Sequence, residues 1–343
     1  MEYQKGRGAQ FNPANRFDQH QADDGATQSD RATRYTIVYP KTILNKVTSP
    51  DIGMGWSLNP YQGCEHGCVY CYARNTHNYW GYSAGLDFEQ QILVKKNAPQ
   101  LLEKKLRSPQ WTAATIMLAG NTDCYQPAEK SFEITRQILE VLWRYRHPVG
   151  LITKNSLILR DLDMLQDLAG KRLVRVAISL TTLHEDTRRL LEPRTATAEQ
   201  RLRTIRELTQ ARIPVHVMLA PIIPGLNDHE ILAMARAAAE AGAKSMGSTV
   251  VRLNGDVGPI FEDWARKALP DRADRILNRI RDCHGGSLED TRFGTRMRGE
   301  GKIAEIIQQQ LSLARARYFS GREKTTYNLD LHQKFKSPQM RLF

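Results

Sequence analysis

Three cysteines, Cys64, Cys68 and Cys71, form a C-x3-C-x2-C pattern within the segment NPYQGCEHGCVYCYAR. Soft thiolate sulfur is the protein ligand that iron–sulfur clusters use, so three thiolates can hold three irons of a cubane [4Fe–4S] cluster. The next cysteine, Cys124, follows more than fifty residues later. The spacing therefore predicts a cluster with one iron open to a substrate or cofactor, as in metal centres that perform chemistry.

A structural zinc site and disulfide bonds are the two alternatives to a cluster for these cysteines. A structural zinc site needs a fourth ligand, which His66 or His77 offers, but zinc ligands usually come as two short pairs and no second pair exists. Disulfides are disfavoured because the five cysteines are an odd number and no secretory signal is recognisable. The open cluster is favoured, with zinc as the alternative.

The composition limits the class of protein. A chain of 343 residues can hold one large domain or two average ones. No apolar run approaches the roughly 18 residues of a membrane helix, and the polar start lacks an export signal, so we expect a cytoplasmic location and no membrane association. The net charge of +12 favours a polyanionic partner.

The elements that must position the cysteines alternate between strand and helix patterns. Six strands are predicted at Gly55–Asn59, Ala114–Leu118, Val149–Thr153, Val174–Leu180, Pro214–Ala220 and Gly247–Leu253. Helices are predicted between them at Glu129–Tyr145, Leu157–Leu168, Ala198–Gln210 and Asp228–Ala241. This alternation predicts an α/β fold with a parallel sheet and outer helices.

Four regions are predicted along the chain. Residues 1–50 have no sustained period and are predicted to form an extended N-terminal arm, followed by the α/β domain at 51–257. A basic helical extension at 258–325 contains helices Asp263–Asp282 and Lys302–Tyr318, joined by a glycine-rich loop. A flexible C-terminal tail is predicted at 326–343.

The motif CEHGCVYC resembles the C-x3-C-x-Φ-C signature of the radical S-adenosylmethionine (SAM) superfamily, with Tyr70 as the aromatic residue Φ. The resemblance implies a partial (β/α)6 TIM-like barrel whose [4Fe–4S] cluster binds SAM at the open iron. It also implies reductive cleavage of SAM to a 5′-deoxyadenosyl radical, with an electron from a donor such as flavodoxin or ferredoxin. In such barrels the chemistry lies at the C-terminal ends of the strands.

The resemblance implies that polar residues at the strand ends bind SAM: Tyr70, Thr122, Asp123, Lys154, Ser179, Thr181 and Arg194. Asp123 suits the ammonium group, although the family's usual Gly-Gly-Glu is replaced here by Asn-Thr-Asp. The fork of Arg194 suits the carboxylate. Structural alternatives are a helix cap for Asp123, a solvated Lys154 and a Glu192–Arg194 ion pair.

Within the superfamily, the segments NTDCYQPAEK, TKNSLILRD, LEPRTA and APIIPGLND resemble the spore photoproduct lyase-like group over about residues 50 to 230. The true spore lyases reverse a thymine dimer, with a cysteine as hydrogen donor near the second strand. The resemblance therefore implies Cys124 as a candidate hydrogen donor. The alternative is an ordinary core cysteine, and the position of Cys124 matches the donor only loosely.

Two further segments bear on partners. The loop cations Arg292, Arg296, Arg298 and Lys302 can follow a phosphate backbone. The final residues, Gln339–Phe343, resemble the Q-L-x-L-F peptide that docks on the sliding clamp. The leading hypothesis is thus a radical SAM enzyme that repairs a DNA lesion. Alternatives are an enzyme acting on a protein, tRNA or small metabolite, and a non-catalytic iron–sulfur or zinc protein that binds nucleic acid.

Overall fold

The computed structural model describes residues 3–15, 17, 32–322 and 325–336. Its strands are β1 Arg34–Val38, β2 Leu44–Lys46, β3 Trp56–Leu58, β4 Tyr61–Gln62, β5 Gln91–Lys95, β6 Ile116–Leu118, β7 Val149–Thr153, β8 Val174–Ser179, β9 Val215–Ile222 and β10 Ser245–Val250. Its α-helices are α1 Asp87–Gln90, α2 Ala98–Arg107, α3 Glu129–Phe132, α4 Ile134–Arg144, α5 Leu162–Gly170, α6 Glu185–Leu191, α7 Ala198–Gln210, α8 Ile231–Glu240, α9 Val257–Ala268, α10 Ala273–Asp282, α11 Gly301–Tyr318 and α12 Asp330–Lys336. Short 3-10 helices occupy Tyr72–Thr76, Asn78–Trp80, Ser156–Asp161, Asp228–Glu230 and Pro270–Arg272.

The larger sheet has the strand order β10-β9-β8-β7-β6-β3-β2. Strands β3 and β6 to β10 run parallel, and β2 pairs antiparallel with β3 at the edge. The predicted α/β fold with six parallel strands is confirmed. The sheet is not a closed barrel, because among the described residues β2 and β10 do not pair with each other.

Burial explains why these segments form strands and helices. The apolar run of β7 is almost wholly buried, as expected for a parallel strand covered on both faces. Helix α8 buries Ile231, Met234, Ala235 and Ala238 on one stripe at helical spacing. Helix α11 of the C-terminal region adds Ile307 and Leu311 to the same core as the strands. The helices therefore pack against the sheet and stabilise it, and the ends of its strands position the site.

Two predicted helices are wrong as single elements. The segment predicted at Glu129–Tyr145 is divided into α3 and α4 at Glu133, whose φ of 50° is left-handed. The helix predicted at Asp263–Asp282 is divided into α9 and α10 around Pro270. Proline lacks a backbone N–H and clashes with the preceding turn, so a break at this position follows from the sequence.

The N-terminal region contains a strand that sequence analysis missed. Strand β1 pairs parallel with β5, and β4 pairs antiparallel with β5, forming a three-stranded second sheet. Residues 1–50 are therefore more than an extended arm in the part that the structure describes. Of the predicted tail, residues 330–336 form α12, whereas Gln339–Phe343 lie outside the described residues.

The N-terminal segment at residues 7–10 packs against the cysteine loop. A Cβ on Gly8 would lie 1.8 Å from the carbonyl oxygen of Gly67, so only glycine fits. The backbone N–H groups of Gly8 and Ala9 donate to the carboxylate of Glu89 at 3.3 and 2.8 Å. Glu89 also pairs with Arg74 at 2.6 Å, and both side chains are fully buried. This buried ion pair joins the N-terminal segment to the cysteine loop.

Among the described residues, no helix is both long and apolar enough to cross a membrane.

We expect Glu89→Gln to lower the free energy of unfolding by about 3–5 kcal/mol, because it leaves the buried Arg74 guanidinium uncompensated. Urea unfolding followed by circular dichroism measures the loss. The matched control is Glu207→Gln, which removes an exposed ion pair with Arg203 and is expected to cost no more than about 1 kcal/mol. Equal small losses in both variants would contradict the structural role of Glu89.

Candidate metal and cofactor site

The three cysteines lie on one loop, between β4 and the 3-10 helix that begins at Tyr72. The N–H of Cys64 donates to the carbonyl of Phe88 at 2.8 Å, and the N–H of Val69 donates to the carbonyl of Leu191 at 3.1 Å. The Arg74 side chain donates to the carbonyl of Cys68 at 3.0 Å. Contacts from both sides therefore define the path of the cysteine loop.

The three thiols are largely shielded from solvent. Cys64 and Cys68 are buried, and Cys71 is partly exposed. Burial raises the pKa of all three thiols, and the other two cysteines raise the pKa of Cys64 further. Because metal coordination deprotonates a thiol, a bound metal centre would resolve the repulsion among the three sulfurs.

The sulfurs are not all as close together as ligands of one zinc ion are. Sulfurs bound tetrahedrally to one zinc at about 2.3 Å lie about 3.8 Å apart. Within the described residues, the one group of three His, Cys or acidic ligand atoms all within 4.8 Å of one another is His184, His229 and Glu230, which contains no cysteine. At least one pair of the three sulfurs is therefore further apart than a shared zinc ion requires.

The two histidines considered as zinc ligands have other surroundings. His66 Nδ1 lies 3.3 Å from Asp123, and its Nε2 lies 3.3 Å from the Asn155 amide. His77 packs against the rings of Tyr82 and Phe88, with centroids 5.1 and 5.6 Å away. Burial lowers the pKa of His77 to about 4. These contacts weaken the zinc alternative.

A buried network around Glu192 lies beside the second cysteine. The Glu192 carboxylate accepts hydrogen bonds from the Tyr70 hydroxyl and from Thr181 Oγ1, the latter at 2.7 Å. It also forms an ion pair with Arg201, which is 2% exposed. Burial raises the pKa of Glu192, but Arg201 and then Lys154 outweigh it and hold this pKa at about 2. The carboxylate is therefore ionised at neutral pH.

Lys154 places a positive charge between this network and the cysteines. Its Nζ lies 5.9 Å from the centre of the Tyr70 ring. Burial lowers the pKa of Lys154, but Glu192 and Cys68 outweigh it, so the net shift is upward. The solvated lysine considered as an alternative does not describe this half-buried, charged side chain. A protonated ammonium here can receive a carboxylate.

Asp123 is engaged by the protein on both carboxylate oxygens. Oδ1 accepts from Thr153 Oγ1 and Tyr125 N–H, while Oδ2 accepts from Lys154 N–H and faces His66. A carboxylate has about four lone-pair sites, and each of these has a protein neighbour. Asp123 does not cap an α-helix either, because Ala128 is the residue before α3. It cross-links the ends of β6 and β7.

Thr122, Ser179 and Thr181 are buried at the ends of β6 and β8. Thr122 Oγ1 donates to the carbonyl of Tyr61 at 2.7 Å, and the carbonyl of Ser179 accepts from Arg201 at 3.1 Å. The N–H of Arg194 donates to the carbonyl of His66 in the cysteine loop at 3.3 Å, but its side chain is exposed and donates to Thr33 Oγ1 at 3.4 Å. Glu192 forms its ion pair with Arg201, and not with Arg194 as the structural alternative proposed.

Cys124 is buried in the core, beyond the strand-end loop. Burial raises the pKa of its thiol, with Asp123 and Glu129 adding to the effect. Its side chain belongs to the same apolar core as Tyr125 and Ala128, and it is fully inaccessible to solvent. The thiol is therefore protonated, but it is packed among core residues.

Sequence reasoning missed Arg201 and Tyr72. Arg201 lies on the buried stripe of α7 with Ala198, Thr204, Ile205 and Leu208, so a charge on an apolar face was the available signal. Tyr72 follows the last cysteine directly, and its hydroxyl donates to the carbonyl of Gly120 at the end of β6. Its side chain is 55% exposed, beside the cysteine loop.

The loop at residues 290–298 forms one flank of the site. The N–H of Val250, at the end of β10, donates to the carbonyl of Met297 at 2.9 Å. Arg296 pairs with Asp51 at 2.5 Å, and Arg292 pairs with Asp290 and Glu300. The loop thus bridges the two edges of the sheet, and two of its predicted phosphate-binding cations are already paired with carboxylates.

Comparisons with known proteins show the family of the chain. The family model of the radical SAM superfamily matches residues 58–238. An uncharacterized protein of Mycobacterium tuberculosis is 34% identical over 265 residues, 76% of each chain. An uncharacterized protein of Methanocaldococcus jannaschii is 28% identical over 192 residues, 56% of this chain and 69% of that protein.

Solved structures of spore photoproduct lyase share the fold. The lyase complexed with dinucleoside spore photoproduct matches with a TM-score of 0.60 at 14% identity, over 86% of this chain and 82% of that chain. A variant of the lyase with bound AdoMet and the same dinucleoside matches over the same shares, with a TM-score of 0.57 at 13% identity.

We expect Glu192→Gln to destabilise the metal-free protein above pH 4.5, and the difference from the unaltered protein to shrink as the pH falls towards 2. The pKa of Glu192 is depressed from 4.5 to about 2 in the fold, so its stabilisation is present above the ordinary pKa and lost on protonation. Unfolding by urea at several pH values tests this. A difference that stays constant across the range would contradict it.

Proposed function

Because the chain belongs to the radical SAM superfamily, we propose that Cys64, Cys68 and Cys71 hold its [4Fe–4S] cluster. Members of the superfamily use this cluster together with SAM, and the protein is an enzyme. The alternative of a non-catalytic binding protein is therefore set aside. When bound, the cluster supplies the electron that cleaves SAM reductively to a 5′-deoxyadenosyl radical. The position of all three thiols on one loop, two of them buried, supports this assignment.

We further propose that SAM lies over the ends of β6, β7 and β8. Lys154 provides the charge for the carboxylate, and the ring of Tyr70 lies beside the same ammonium. Glu192 accepts the hydrogen bond of the Tyr70 hydroxyl and favours the charged form of Lys154, while Arg201 is its own ion-pair partner. Thr122, Asp123, Ser179, Thr181 and Arg194 remain predicted SAM contacts. Of these, Asp123 is fully engaged and acts best by positioning Lys154 and His66.

As the substrate we propose a DNA lesion. The net charge of +12 favours a polyanion. The fold is shared with a lyase that was solved with a dinucleoside spore photoproduct. The buried position of Cys124 does not favour it as the hydrogen donor, so the donor is a different group or Cys124 becomes reachable on binding.

The second candidate is a protein, tRNA or small-metabolite substrate. It is supported by the ion pairs of Arg292 and Arg296, which leave fewer cations on the loop for a phosphate backbone. Enzymes of this superfamily need an electron donor, for which flavodoxin or ferredoxin remains the prediction. The sliding clamp remains a prediction from Gln339–Phe343 alone.

We expect Cys64→Ala, Cys68→Ala and Cys71→Ala each to lose bound iron–sulfur cluster and SAM cleavage, because a site with two thiolates cannot retain the cubane. Anaerobic reconstitution, iron analysis and chromatography of 5′-deoxyadenosine measure both effects. Cys283→Ala is the matched control, since this buried core cysteine belongs to the C-terminal region. Full SAM cleavage by any of the three variants would refute the ligand assignment.

We expect DNA binding to weaken linearly in log affinity against log salt, because released counterions drive it. Ultraviolet-damaged DNA should stimulate 5′-deoxyadenosine formation above undamaged DNA, tRNA and peptides. Turnover assays with these four additives at fixed salt decide between the candidates. Stimulation by tRNA or peptide, with none by damaged DNA, would favour the second candidate.

A further inference from the structure

Arg252 follows β10, at the edge of the parallel sheet where strand ends meet the cysteine loop. Its neighbours in the chain are held by the fold: Val251 N–H donates to Ile222 and Leu253 N–H donates to Leu288, both at 2.9 Å. His284 Nε2 lies 2.7 Å from the carbonyl of Val251. The backbone that carries Arg252 is therefore fixed on both sides.

The guanidinium of Arg252 has an unused donor. Its Nη1 is buried and has no hydrogen-bond partner among the described residues. A buried donor without a partner costs free energy, and nearly all such groups in proteins are satisfied. Burial, and next the nearby Arg296, lower the pKa of Arg252. The position is therefore costly for the fold alone.

The carboxylates near Arg252 are already paired with other groups. Asp51 accepts from Gly294 N–H at 2.9 Å and from Arg296 at 2.5 Å. Asp290 accepts from Arg292 at 2.9 Å and lies 3.1 Å from His284. These carboxylates influence Arg252 only through space, so its fork is available for a further anion.

The loop that carries Arg252 also contacts the segment that follows the three cysteines. The side-chain amide of Asn75 donates to the carbonyl of Asn254, two residues after Arg252, at 2.7 Å. Asn75 belongs to the 3-10 helix Tyr72–Thr76, which follows the cysteine loop directly. This contact holds the loop that carries Arg252 against the short helix that begins with Tyr72. Lys154 lies at a different strand end, that of β7.

We propose that Arg252 binds a phosphodiester group of the substrate and places the adjoining nucleotide beside Tyr72. This inference rests on the proposed nucleic-acid substrate and names the contact that would hold it. A guanidinium binds phosphate oxygens through two parallel hydrogen bonds, which a lysine cannot do. Because Arg296 is neutralised by Asp51, Arg252 is the better placed of the two arginines to bind an anion.

The test uses two thymidine dinucleotides, one with a phosphodiester and one with an uncharged methylphosphonate linkage. A single linkage isolates the contact, and the reconstituted holoenzyme is used throughout. We expect the unaltered enzyme to bind the phosphodiester more tightly. Arg252→Gln should weaken that binding on the order of tenfold to a hundredfold and leave methylphosphonate binding unchanged, as loss of a charge-assisted hydrogen bond implies. The affinity of Arg252→Lys for the phosphodiester should lie between those of the unaltered enzyme and Arg252→Gln.

Two controls accompany the binding measurement. Arg236→Gln removes an exposed positive charge from helix α8 and should leave the preference for phosphodiester intact. SAM cleavage without DNA should be unchanged in Arg252→Gln, because the residue is not assigned to SAM. A fall in that cleavage, or equal weakening of both dinucleotides, would overturn the proposal in favour of a SAM-binding or structural role.

The outcome separates this inference from the proposed function. If the unaltered enzyme prefers the phosphodiester and Arg252→Gln keeps that preference, Arg252 is not the contact, while a nucleic-acid substrate still stands. If the unaltered enzyme shows no preference, and damaged DNA does not stimulate 5′-deoxyadenosine formation, both proposals fail.

Discussion

The buried ion pair between Glu89 and Arg74 is the contact on which the arrangement of the cysteine loop depends. Arg74 reaches the carbonyl of Cys68, and Glu89 receives the N–H groups of Gly8 and Ala9. One charged pair thereby aligns the metal-binding loop, a short helix and the N-terminal segment. Burying two charges is costly, and the hydrogen bonds that Arg74 gives to the carbonyls of Cys68, Ala84 and Gly85 offset part of that cost.

A second buried carboxylate, Glu192, holds the cysteine loop at Tyr70. It gathers Tyr70, Thr181 and Arg201 and keeps Lys154 charged. The loop is therefore held by two buried carboxylates, each paired with a buried arginine. The negative charge of a bound cluster with its thiolates would meet positive groups on both sides, Arg74 and Lys154.

Much of the architecture could be predicted from local patterns, whereas the polar contacts could not. The apolar strands alternate with amphipathic helices, so the parallel order of β3 and β6 to β10 followed from periodicity. The break at Pro270 is visible in the sequence, because proline interrupts a helix. Arg201 and Glu89 carry only a weak signal, a charge on an otherwise buried face, and their partners are set by tertiary packing. The tight contact of Gly8 with Gly67 joins segments with no shared pattern.

The bridge between Asp51 and Arg296 joins residues 245 positions apart. Closing so long a loop carries a large entropic cost, which is recovered only after both edges of the sheet exist. During synthesis the cysteine loop leaves the ribosome well before residues 290–298, which follow the last strand of the larger sheet. The bridge can therefore form only after β10 has been made, so in a partly made chain the cysteine loop has no cover from residues 290–298.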